Sequence, residues 1–161
     1  MSLVVDIEEC LRRCKTKAHQ TTPIPLPIVE GLVARYGPLP PSIAGVCERI
    51  GKVEMFWGKG EFSQYNLAVC YKLQMSRVGE NEFYLNVGAW IYDGAVYYRW
   101  CSRNQEYLPG ICGARGSGIA KNFDSIEHWF AACVKKARKQ YDKTEWEDQL
   151  GMKGFKPSGA P

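Results

Sequence analysis

The stretch EFYLNVGAWIYDGAVYYRWCSR, residues 82–103, constrains the fold of this chain more than any other. Asp93-Gly94 stands between two apolar-aromatic runs, and a two-residue type I′ hairpin turn selects for this dipeptide because both central residues need positive φ. A turn there predicts the pairs Tyr92–Ala95, Ile91–Val96, Trp90–Tyr97, Ala89–Tyr98, Gly88–Arg99 and Val87–Trp100. Directly paired residues project from the same side of a sheet. One side then collects Phe83, Leu85, Val87, Ala89, Ile91, Val96, Tyr98 and Trp100, an apolar set expected in the core. The other collects Tyr84, Asn86, Gly88, Trp90, Tyr92, Tyr97, Arg99 and Cys101.

Further strands accompany the hairpin. KVEMFW reads as a strand, and Tyr65, Leu67, Val69, Tyr71, Leu73 and Met75 alternate with smaller or polar residues as a half-buried strand does. The strand-rich part, residues 52–103, is expected to form an antiparallel meander of about four strands. Helices are expected at 3–18, at IVEGLVARYG and at SIAGVCERIG, with extended proline-rich connectors between them. A C-terminal helix is expected over 124–142, with Asp124 as N-cap, Glu127 three residues on and Phe123 as the preceding hydrophobic residue. The Gly-rich segment 104–122 reads as a long loop and residues 151–161 as a disordered tail. The expected class is α+β: one domain over residues 1–150, with helices from the N- and C-terminal regions packed on one face of the sheet.

A length of 161 residues suits one hydrophobic core, and the net charge of +4 is mildly basic. No apolar run approaches the 20 residues of a membrane-spanning helix. MSLVVDIEECLRR has acids within its short apolar part and does not read as a secretory signal. Seven scattered cysteines, an odd number, point to a reducing, cytoplasmic location in which most act as small hydrophobes.

The second hairpin face, joined by Lys72 and Gln74, mixes aromatic rings with cations and amides. Bases of single-stranded nucleic acid stack on such surfaces, and protein interfaces use the same residue types. Gly88 leaves room for close approach to the backbone. Cross-strand aromatic pairs also stabilise a sheet with no ligand present. The candidate binding residues are Tyr84, Trp90, Tyr92, Tyr97, Arg99 and Lys72, with Arg103, Arg115, Lys135 and Lys136 as nearby cations. The reading that follows is a small non-catalytic intracellular binding protein that engages nucleic acid or a nucleoprotein complex. A protein–protein inhibitor or adaptor is the alternative. An enzyme pairing Cys47, Cys101 or Cys112 with His19 or His128 is the third class.

No catalytic or metal-binding motif, and no cofactor, is read from the sequence. GARGSGIAK has the glycine spacing of a phosphate loop, but Ile119 stands where its lysine belongs. Cys10, Cys14 and His19 lack the second ligand pair of a structural zinc site. YYRW in the hairpin, NFDSIEHWF opening a helix and then KTEW are similar to the WGR domain over Glu82 to Trp146. In place of Trp-Gly-Arg, Trp100 is followed by Cys101 and Ser102, with Arg103 one place late. That resemblance implies a small strand-and-helix module of the kind found in nucleic-acid-binding enzymes.

Overall fold

A computed structural model describes residues 2–13, 19–57, 66–90, 94–115 and 118–160, with backbone only over 114–121. The fold is α+β, and every strand pairing is antiparallel. The strands are β1 (Gln20–Thr22), β2 (Lys52–Met55), β3 (Leu67–Val69), β4 (Met75–Arg77), β5 (Glu82–Trp90), β6 (Gly94–Cys101), β7 (Glu106–Tyr107), β8 (Ile111–Arg115) and β9 (Gly118–Phe123). They order as β1-β2-β3-β5-β6-β8-β9, with β4 also on β5 and β7 also on β6. The helices are α1 (Leu3–Arg13), α2 (Leu26–Tyr36), α3 (Pro41–Arg49) and α4 (Ile126–Arg138), followed by a π-helical turn over Glu145–Gln149.

The sheet therefore has about nine strands among the described residues, not four. Two causes account for the difference. The alternating run 65–76 is divided: β3 and β4 both lie along β5, and between them the chain makes a corner at Cys70, whose φ is +57°. Hydrogen bonds from Cys70 N–H to the Val87 carbonyl and from Asn86 N–H to the Gln74 carbonyl carry the edge across that corner. The Gly-rich segment, expected as a loop, supplies β7, β8 and most of β9. Glycine is a poor strand former, but β8 and β9 pair with each other and β8 also pairs with β6.

The central hairpin also departs from expectation. Trp90 pairs with Gly94 and not with Tyr97; Ile91, Tyr92 and Asp93, and with them the expected turn, lie outside the described residues. Asn86 faces Tyr97 while Gly88 faces Val96, which leaves Val87 as an extra residue in β5. A bulge of this kind advances the side-chain phase by one. Leu85 and Val87 are buried as expected, but beyond the bulge Gly88 and Trp90 turn to the core while Ala89 does not. On β6, Val96, Tyr98 and Trp100 are all buried, as the alternation predicts.

Several contacts anchor the core. A Cβ on Gly88 would lie 2.8 Å from the Trp129 ring of α4, so the room left by that glycine is taken up within the chain. The Trp100 indole donates to the Tyr36 carbonyl at 3.0 Å, and Trp100 meets both Tyr36 and Phe83 edge-to-face while those two rings lie tilted to each other. The cap of α4 lies one residue later than expected. The Ser125 hydroxyl accepts the His128 N–H at 3.2 Å, and Glu127 accepts instead from Ser42 on α3 at 2.5 Å.

Residues 151–160, expected to be disordered, are docked. Met152 is 1% exposed, and the Asp6 carboxylate accepts from Ser158 N–H at 3.1 Å and from its hydroxyl at 2.6 Å. Burial raises the Asp6 carboxyl above its ordinary value despite those bonds. Among the described residues no helix is long and apolar enough to cross a membrane.

Candidate functional site

The sheet register brings three of the sequence-predicted residues together. Tyr84 on β5 faces Arg99 on β6, and Tyr97 follows two residues earlier on the same face. The rings of Tyr84 and Tyr97 lie 5.3 Å apart at 37°. Tyr97 in turn pairs with Cys112 of β8, which places the Cys112 thiol beside this group. Tyr84 and Cys112 act on each other's titration, and Arg99 acts electrostatically on both. Burial raises the Tyr84 hydroxyl and pushes the Cys112 thiol up, the latter against the opposing pull of Tyr84 and Arg99. Arg99 is half-buried, and its Nε has no hydrogen-bond partner. That Nε is itself shielded from solvent, so it is a buried donor left unsatisfied and not a contact point for a ligand.

Lys72 stands next to this group. It is exposed at the corner after β3 and lines a hollow of about 300 Å³ with Tyr71, Asn86, Ala89 and Ala95. Asn86 pairs with Tyr97, which joins the hollow to the tyrosine–arginine cluster. The site so assembled offers ring faces, a half-buried guanidinium, an ammonium and an amide.

Of the other candidates among the described residues, only Trp90 borders the same hollow, and it does so as a nearly buried residue. Trp90, expected on this face, is 2% exposed because the Val87 bulge turns it inward. Tyr92 and the side chain of Arg115 lie outside the described residues. Arg103 is exposed beside Asn81, whose amide oxygen accepts from its guanidinium at 3.2 and 3.3 Å once the amide is oriented to donate to Ser102. Lys135 and Lys136 stand on α4, the helix that presents Trp129 to Gly88. Lys135 lines a separate groove of about 640 Å³ between α4 and residues 155–160, together with Arg138 and Lys156.

The cysteine–histidine pairing with Cys112 fares no better. Cys112 is 1% exposed with Tyr84 as its partner, while the His128 Nδ1 lies 2.7 Å from the Ser125 hydroxyl. A thiol held protonated by burial is a poor nucleophile. His19 Nδ1 accepts the Phe56 N–H at 3.1 Å, its ring stands edge-on to Trp57, and burial lowers its pKa to about 4. Cys14 of the considered zinc trio lies outside the described residues.

Sequence spacing missed one interaction: Cys47 on α3 and Cys70 at the end of β3 act on each other so as to lower the Cys47 thiol and raise that of the buried Cys70. No family model matches the chain, and no curated protein or solved structure does so; the likeness to the WGR domain remains one of short motifs.

Proposed function

We propose that this chain is a non-catalytic binding protein that takes single-stranded nucleic acid, free or within a nucleoprotein, on the β5–β6 face. The helices would cover the opposite face of the sheet and hold the platform rigid. Tyr97 and Tyr84 would supply stacking surface, Arg99 and Lys72 would neutralise phosphates, and Asn86 would offer an amide to a base edge. The observation that carries this reading is the Tyr84–Tyr97–Arg99 cluster, where two adjoining rings and a guanidinium share one face of the β5–β6 pair. Trp90 is 2% exposed, so stacking would fall on the two tyrosines.

Fluorescence anisotropy of a labelled single-stranded 12-mer, titrated at several salt concentrations, tests the proposal. Affinity should fall steeply with salt, and Arg99→Ala should reduce the slope by about one phosphate contact. Tyr97→Ala should weaken binding by about 1–3 kcal/mol, the usual worth of a stacked base. No binding at low salt overturns the nucleic-acid reading. A co-purifying protein lost from a Tyr97→Ala/Arg99→Ala double variant would then assign the same face to a protein partner.

A further inference from the structure

The groove between α4 and residues 155–160 shares no residue with the β5–β6 face, and its volume of about 640 Å³ is that of a small-ligand pocket. Positions 128, 131, 132, 135 and 138 of α4 line it, which is the spacing of one helix face. From 128 to 138 that face runs about 15 Å at the rise of an α-helix. The opposite wall is pinned. The Asp6 carboxylate accepts from the Ser158 N–H at 3.1 Å and from its hydroxyl at 2.6 Å. At Gly159 the chain lies so close to the first turn of α4 that a Cβ would meet the Glu127 carbonyl oxygen at 2.3 Å and the His128 nitrogen at 2.6 Å.

Ala131, Ala132, Val134, Phe155 and Pro157 give the groove apolar walls. Its cations are Lys135, Arg138 and Lys156, and no Asp or Glu lines it among the described residues. All three are exposed, and none forms an ion pair among the described residues. His128, also on the lining, has its Nδ1 2.7 Å from the Ser125 hydroxyl. The C-terminal end of α4 contributes roughly half a negative charge, which three cations outweigh.

We infer that this groove binds an unbranched aliphatic carboxylate, a medium-chain fatty acid, independently of what the β5–β6 face takes. A bare anion would leave the apolar walls unmatched, and a plain hydrocarbon would leave the cations unmatched. An amphiphile satisfies both. The short side chains of Ala131 and Ala132 let methylenes lie against the helix, and the length of the face is roughly that of an extended dodecanoate. Lys135 and Arg138 stand two to three turns beyond the Gly159 contact, which orients the chain with its carboxylate toward the last turn of α4.

Isothermal titration of the full-length protein with dodecanoate below its micelle concentration tests this. One molecule should bind, with decanoate about ten-fold weaker for the two methylenes lost. Dodecanol should bind about ten-fold weaker or worse for want of the charge. Lys135→Glu/Arg138→Glu, at two exposed positions, should cut dodecanoate affinity about ten-fold or more. Ala132→Trp, which fills the floor of the groove, should abolish binding, and Tyr97→Ala should leave it unchanged. No saturable binding, equal affinity for dodecanol, full affinity in the charge-reversed variant, or loss of affinity in Tyr97→Ala overturns the assignment. Cosedimentation with phosphatidylglycerol vesicles in the absence of dodecanoate binding also overturns it and gives the three cations to a lipid surface.

Discussion

Gly88→Ala tests the placement of the β5 bulge most directly. A Cβ at this position would meet the Ala68 carbonyl oxygen at 2.7 Å and the Trp129 ring carbons Cη2 and Cζ3 at 2.8 and 3.2 Å. Real Cβ atoms do not approach that closely, so strand or helix must shift. The indole edge can tilt, but the carbonyl belongs to β3, whose Ala68 pairs with Ala89. Overpacking costs about 1–3 kcal/mol, and the rigid backbone contact puts this site near the upper end. About 2–3 kcal/mol corresponds to a roughly 30- to 150-fold change in the unfolding equilibrium. Urea denaturation followed by Trp fluorescence should show a lower midpoint with the slope unchanged. Trp129→Phe removes the benzo edge that Cη2 and Cζ3 belong to. In that background Gly88→Ala should cost less, by a coupling of about 0.5–3 kcal/mol, while the clash with the Ala68 carbonyl persists. If Gly88→Ala lies within about 0.5 kcal/mol of the parent protein, as a surface change would, Gly88 does not face Trp129 and the face assignment of β5 fails.

Trp90→Ala should cost about 3–5 kcal/mol of stability as a core truncation, with oligonucleotide affinity of the folded fraction preserved; a selective loss of affinity would return Trp90 to the binding face. His19, with a folded pKa of about 4 against an ordinary 6.5, contributes stability that is present above pH 6.5 and drains away as pH falls toward 4. Urea midpoints measured across that range should flatten in His19→Gln, and an unchanged slope contradicts the burial argument. Asp6 acts in the opposite sense. Its raised carboxyl contributes stability that is complete below pH 3.8 and is lost as pH rises through the folded value. Asp6→Asn should remove that dependence from the hydrogen-exchange protection of Ser158 N–H.

What the sequence determined by itself is local. Capping and 3–4 spacing mark α4, proline placement brackets α2 and α3, and alternation sorts Val96, Tyr98 and Trp100 inward on β6, because each signal acts within a few residues. Tyr84, Tyr97 and Arg99 share a face for the same reason, since all three lie on the near side of the bulge. Tertiary structure decided what depends on distant partners. Val87 bulges where Gly88 must admit Trp129 from a helix about 40 residues away, and that one extra residue turns Trp90 from the binding face into the core. Glycines 113 and 118 sit in strands because β6 and β8 offer edges to pair with. The last ten described residues are ordered because Asp6 and α4 receive them. Periodicity shows which residues can share a side of a strand; only packing sets where along the strand that side changes.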